Sequence, residues 1–425
     1  MRRGLWWLVS LSLLSACDGG VPPPPRQDAA RRDGGAGVDA GRLDASLDAS
    51  GADAGAPADA GLLRCTFDPS DAMLLGSDPR LTPRTVALAA GATRFAVAWN
   101  GQPEGQPDVY ARTFGTSGFS DEVALTDTPS RENRPSLLAV GADWLAAWSD
   151  NEGGSGYEIR ASHLDGALVE VGSRQSLTSA PAVLEDVPVL AGTAAGPMLA
   201  WVDDDMVART RQARALRLNT DGTANGGVQM VGTAGRSVGG LSLGELAAGP
   251  VVVWAEQGVG GQEVWLQPLT SDGANRGSPV ALTASANSDG SIDVALGIDG
   301  GAVVFGVAVG GVRREVRFHA IAANGDLVGA ERILTPDGGT DASIAAFAGG
   351  YAVTYRSPAS PTSQIVLLLV SALGAVLDEI PIQDASAGGG RTTVRVTGEG
   401  QIGISWADEA GGAIESHAAL VRCGP

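Results

Sequence analysis

The chain has 425 residues, a formal net charge of −19, 61 glycines and only 5% aromatic residues. That length allows two ordinary domains or one large all-β domain, packed from small residues and tight turns. Residues 1–16 carry two arginines and residues 18–62 eight aspartates against four arginines, so residues 63–425 still hold a net charge of −17, which excludes a broad basic face for nucleic acid or anionic lipid.

The chain opens with "MRRGLWWLVSLSLLSAC", two arginines followed by an apolar stretch from Leu5 to Leu14. It is too short for an ordinary transmembrane helix and reads as a signal peptide over residues 1–16. Leu14-Ser15-Ala16-Cys17 resembles a bacterial lipobox. The resemblance implies cleavage before Cys17, lipidation of its thiol, and an address in the bacterial cell envelope, on the periplasmic face or the cell surface. Membrane contact is then expected through the anchor alone. Residues 17–62 are rich in Pro, Asp, Ala and Gly, with "PPPP" and spaced "DAG" triplets. Too few large apolar side chains are present to offset chain entropy, so a disordered tether is expected. Its root-mean-square span would be roughly 35–40 Å.

From residue 63 onward the sequence repeats. Apolar runs end in an aromatic residue at Trp99, Trp148, Trp201, Trp254, Phe305, Tyr355 and Trp406, in steps of 49, 53, 53, 51, 50 and 51 residues. Each mark is preceded by a short apolar run such as "PSLLAV" or "SIDVAL" and followed by an alternating run such as "DVYARTF" or "EVWLQPL". A turn comes next, "LDG", "TDG", "SDG" or "ANG", whose two central residues can both take positive φ, and four of the units close on Leu-Thr or similar. Four short strands per unit and a period near 50 predict a single seven-bladed β-propeller over residues 63–425. An array of separate sandwich modules is the alternative, disfavoured because a lone four-stranded sheet cannot bury both faces.

The ends of the repeat region fit a closed ring. The last unit stops after its third strand, at "AIESHAALVRCGP", whereas the first residues past the tether end in Leu81-Thr82, the closing signature that unit lacks. A strand near Gly76 to Thr82 is therefore expected to complete the last blade. Cys65 and Cys423 lie near the two joined ends in an oxidising compartment and are expected to be bonded, two free thiols being the alternative. Lipobox, DAG-rich tether and seven aromatic-marked repeats together resemble the β-propeller lipoproteins of myxobacterial type. That resemblance implies a fold and an address and carries over no functional residue.

Signs of chemistry are few. Gly235-Arg236-Ser237-Val238-Gly239 matches G-x-S-x-G, but falls between two units with no helix to make a nucleophile elbow. His163, His319 and His417 fall in the third strands of different units, without zinc-ligand spacing. No calcium-loop pattern is present, and no cofactor, metal or catalytic residue is assigned. One recurrence is not demanded by packing: an acid two residues past the aromatic mark, at Asp150, Asp203, Glu256 and Asp408, where the other units have Gly101, Val307 and Ser357. These acids are expected in the loop joining second and third strands, as candidate ligand-binding residues near the central channel; the alternative is that they only solvate and cap that loop. The leading expectation is a non-catalytic binding or scaffold module for a protein or glycan. The alternative is a carbohydrate-active enzyme, glycoside hydrolase or polysaccharide lyase, using paired carboxylates on that face. An envelope protein with no small ligand is a third reading.

Overall fold

The computed structural model describes residues 64–78, 86–101, 107–151, 156–179, 183–205, 207–233, 237–258, 261–283, 288–310, 313–358, 363–385, 390–410 and 413–424. The expected signal peptide and tether with Cys17, Leu81-Thr82 and residues 235–236 of the G-x-S-x-G stretch lie outside them. The described residues form seven antiparallel sheets arranged as a seven-bladed β-propeller. Blade 2 is representative: inner strand Glu132–Val140, second strand Asp143–Asp150, third strand Glu158–Leu164 and outer strand Gln175–Ser176, each paired with the next.

The aromatic marks all lie on second strands, and each packs against the blade before it. Trp148 joins Ala98, Val109 and Leu125 of blade 1, Trp201 joins Leu145 and Ile159 of blade 2, and Trp406 joins Ile365 and Leu367 of blade 6. Seven apolar cores result among the described residues, one at each junction between blades. This is how a thin sheet buries both of its faces: its neighbours on either side cover them.

The Leu-Thr signature has a physical cause. The Leu N–H bonds the third strand, as Leu282 N does to the Val264 carbonyl at 2.8 Å. The following Thr hydroxyl then accepts the N–H of the same third-strand residue: Val109 to Thr126, Ile159 to Thr178, Val264 to Thr283 and Val316 to Thr335, at 2.8–3.0 Å. The hydroxyl continues the ladder where the outer strand has stopped. The turns before it use one positive φ rather than two. Gly222, Gly273, Gly325 and Gly374 sit at φ 84–93°, each donating to the carbonyl three residues back, while the preceding Asp221, Asp272, Asn324 and Leu373 do not take positive φ. At Gly374 a Cβ would also stand 2.6 Å from Phe318.

The last blade is completed from the N-terminal side. Its third strand, Ala413–Gly424, pairs with both Arg64–Thr66 and Ala72–Asp78. The closing strand therefore begins at Ala72, earlier than the expected Gly76, while Leu81-Thr82 lie outside the described residues. In the four blades that carry it, Leu-Thr follows the outer strand rather than belonging to it. Cys65 faces Cys423 in register and the two are disulfide-bonded.

One polar belt has no counterpart in the sequence pattern. The inner-strand residue opposite the position before the aromatic is Ser136, Ser242, Asp293, Ser343 and Thr393 in blades 2, 4, 5, 6 and 7. Each reaches the next inner strand. Ser136 accepts from Leu190 N at 3.0 Å, Ser242 donates to Asp293 at 3.1 Å, Asp293 accepts from Ile344 N at 3.2 Å, Ser343 accepts from Val394 N at 3.2 Å, and Thr393 donates to the Val86 carbonyl at 3.3 Å. The belt ties inner edges that no sheet neighbour covers.

Candidate functional site

The seven inner strands enclose a central channel of about 1240 Å³. Their unpaired edges line it, so backbone N–H and C=O groups face its interior. Among the described residues, no aromatic side chain lines it.

At the end where the inner strands begin, blades 2 to 7 each contribute a polar side chain: Arg134, Arg211, Gln262, Arg314, Asp341 and Arg391. Arg134, Asp341 and Arg391 come from inner strands or the residue leading into them; Arg211, Gln262 and Arg314 occupy one equivalent place at the start of third strands. Arg395, deeper in the channel, pairs with Asp293 at 3.2 Å. Arg211 pairs with Asp204 at 3.2 Å. Among the described residues, five arginines therefore line the channel against three carboxylates, Glu245, Asp293 and Asp341, in a domain that is otherwise strongly acidic.

The backbone at this mouth is strained. The inner strands of blades 2 to 6 each slip register there. At these bulges Arg134, Val187 and Asp341 adopt φ of 51°, 54° and 57°. A left-handed conformation is costly for any residue with a Cβ, and most of all for β-branched Val187. Neighbouring blades hold the bulges in place. Asn100 of blade 1 donates to the Glu132 carbonyl at 2.7 Å and accepts from Arg134 N at 3.3 Å. Thr392 of blade 7 donates to the Asp341 carbonyl at 2.7 Å. Bulges re-aim side chains, and here they do so around one opening.

Behind the mouth lies a layer of carboxylates. Asp150, Asp203, Glu256 and Asp408 are not in loops but within second strands, whose ladders run on past the aromatic mark. Asp203 accepts from the Trp201 indole at 2.7 Å and from Arg214 at 2.5 Å. Glu256 accepts from the Trp254 indole at 3.1 Å. Asp150 lies 3.4 Å from Arg160, and Asp408 lies 3.7 Å from Arg356, which also clamps the Gly390 and Ala407 carbonyls. The two-residue spacing from Trp brings the acid back to the sheet face of the indole, whose N–H it receives in blades 3 and 4 but not from Trp148 or Trp406.

The sequence repeat marks a single acid in each of four blades; the ladder adds others. In blade 2, Glu132, Asp150 and Glu158 stand side by side on three strands. Glu132 is wholly buried and accepts from Thr128 and, at 2.7 Å, from Ser130. Burial pushes its carboxyl up to about 7, helped by the charges of Asp150 and Asp108. Asp108, half-buried and hydrogen-bonded to Glu132, is raised by burial too. In blade 3, burial lifts Glu185 to about 7 although it accepts from Thr178, with the Asp203 charge adding to the rise. Glu132 and Glu185 lie at or near the start of their inner strands next to the bulges, and no sequence repeat marks them.

The histidines stand in third strands: His163 beside Asp143 at 3.2 Å, His319 against the Gly329 carbonyl at 3.3 Å, and His417 stacked on Trp406 with its centroid 5.1 Å away. Burial holds His417 below the usual imidazole range. Among the described residues no group of three or more His, Cys, Asp or Glu could hold a metal ion.

Solved structures share this fold. A protein of unknown function from Dyadobacter fermentans superposes with a TM-score of 0.50 at 11% identity, covering 85% of this chain and 99% of that one. The polysaccharide lyase Uly1 gives 0.48 at 10% identity, over 81% and 91%. A Trypanosoma rangeli sialidase gives 0.43 at 11% identity, over 86% and 59%. No protein-family model matches the chain, and no curated protein sequence does. At these identities the likeness is one of fold alone.

Proposed function

We propose that the protein is a lipid-anchored binding module of the cell envelope, held by Cys17 outside the cytoplasm and performing no reaction of its own. Its ligand, a protein or a glycan, is taken at the end of the ring that carries the channel mouth, with Asp150, Asp203, Glu256 and Asp408 just behind. The observation that carries this reading is the convergence of polar side chains from six blades on one opening, two of them, Arg134 and Asp341, set on strained bulges where the inner strands slip register. Hydrogen exchange with and without a captured ligand tests it. Protection on binding should fall on residues 132–137, 187–192 and 390–396. Protection confined to the opposite end, at the turns around Asp165, Asp221 and Asp272, would refute it. For the anchor, Cys17→Ser should move the protein out of the membrane fraction with the thermal midpoint of the folded domain unchanged.

One observation favours the second reading, a carbohydrate-active enzyme. Asp108 is raised and hydrogen-bonded to the raised Glu132, with Asp150 close by; glycoside hydrolysis pairs a raised acid with a second carboxylate about 5–10 Å away, a part that Asp150 and not the hydrogen-bonded Glu132 would take. Glu132 itself is sealed from solvent, which leaves Asp108 as the group to test. Turnover of a polysaccharide that disappears in Asp108→Asn would establish this reading over the first.

A further inference from the structure

We infer that the channel mouth receives a carboxylate-bearing saccharide, its acid group held by the arginines and its hydroxyls by the channel wall. This rests on the binding-module reading and narrows it to one ligand class.

Charge is the first ground. The domain repels anions at long range, yet Arg134, Arg211, Arg314 and Arg391 converge on its mouth from blades 2, 3, 5 and 7, with Asp341 lining the same end and Asp204 paired to Arg211. A guanidinium presents its donors in a planar fork that matches a carboxylate, so the mouth selects anionic groups at contact range while the surrounding acid limits indiscriminate capture. Arg134 is also the residue placed by a left-handed bulge that Asn100 braces from the neighbouring blade, which fixes where that inner strand delivers its side chain.

The wall supplies the second ground. Below the arginines, the strand edges offer N–H donors and C=O acceptors, apart from Leu190 N, Ile344 N, Val394 N and the Val86 carbonyl, which the polar belt already engages. A sugar hydroxyl both donates and accepts, and so matches such a wall; an aliphatic or aromatic body would leave those groups unsatisfied. Gln262, between Arg211 and Arg314 around the mouth, has an Oε1 with no protein partner. The described lining has no aromatic platform on which a neutral sugar would stack, which leaves the acid group as the anchor.

The test uses the full chain in detergent and a panel of uronate oligomers, each beside its methyl ester, which keeps the shape and removes the charge. Free uronic acids form a second arm and separate recognition of a single residue from recognition of a chain. Wild type should prefer acid over ester by about tenfold or more at low salt, and the preference should shrink as salt rises. Arg134→Gln and Arg391→Gln should each lose most of it with an unchanged thermal midpoint, and Arg134→Lys should keep part of it. If either Gln variant is misfolded, the acid-over-ester ratio and its salt dependence in wild type still decide. Equal binding of acid and ester across the panel, or full preference in the folded Gln variants, overturns the inference. Should wild type then hold a neutral glycan or a protein at this mouth, the binding-module reading stands and only the ligand class falls; if protection by every captured ligand maps elsewhere, both fall.

Discussion

Two regions at one end of the ring differ in nearly everything but position. The carboxylate layer is largely buried, and groups of the protein itself meet most of its acids: indole N–H, guanidinium, or Thr and Ser hydroxyls, with Glu132 Oε2 and Asp150 Oδ1 left without a hydrogen-bond partner. The mouth in front of it is open, positively lined, and set on backbone held in strained conformations. The layer recurs from blade to blade, whereas the mouth presents different residues at equivalent places: Arg211, Gln262 and Arg314 on third strands, Arg134, Val187 and Asp341 at the bulges. In a repeat protein, recurrence follows what every blade needs in order to pack. Departures from it are where individual side chains can serve a ligand.

The seam sets the scale for measurements that sharpen this contrast. Replacing Cys65 and Cys423 by Ser opens a loop spanning a sequence separation of 358 residues, and the chain-entropy relation gives roughly 5–6 kcal/mol as its upper effect. Chemical denaturation should show a larger loss there than for any single substitution in the layer or at the mouth. The next effect is pH dependence. Glu132 and Glu185 are raised to about 7 in the folded state, so that state binds more protons than the unfolded chain at pH between about 4.5 and 7. Stability is therefore highest in the lower part of that window and falls as pH rises through it, by up to about 3 kcal/mol per group. Glu132→Gln with Glu185→Gln should be more stable than wild type at pH 8 and should flatten the profile. A wild-type profile that is already flat would break the account of a sealed layer.

Smaller changes separate layer from mouth directly. Asp203→Ala strips the acceptor from the Trp201 indole and from Arg214, and should cost about 2–3 kcal/mol. Arg391→Gln at the mouth should cost under about 1 kcal/mol. Equal losses would erase the distinction between the two regions. The ladder hydroxyl gives a modest effect away from both. Thr283→Val leaves Val264 N–H without its acceptor and should cost about 1 kcal/mol by denaturant midpoint, with no change at the mouth.

The sequence by itself determined the seven blades, because each must bury an aromatic against its neighbour, and four of them close their third strand with a Leu-Thr hydroxyl. Both needs recur at a fixed period. It also determined that Cys65 and Cys423 meet, since a ring has one seam and both lie at it. Tertiary structure decided the rest. Whether Asp150 or Asp203 lies in a loop or inside a strand depends on how far the ladder runs, which neighbouring strands settle. Glu132 and Glu185 acquire their raised protonation only from burial and from acids distant in the chain. Arg134, Arg211, Arg314 and Arg391 are spread over some 250 residues with no shared motif. Only closure of the ring, with a braced register slip at Arg134, brings them to one opening.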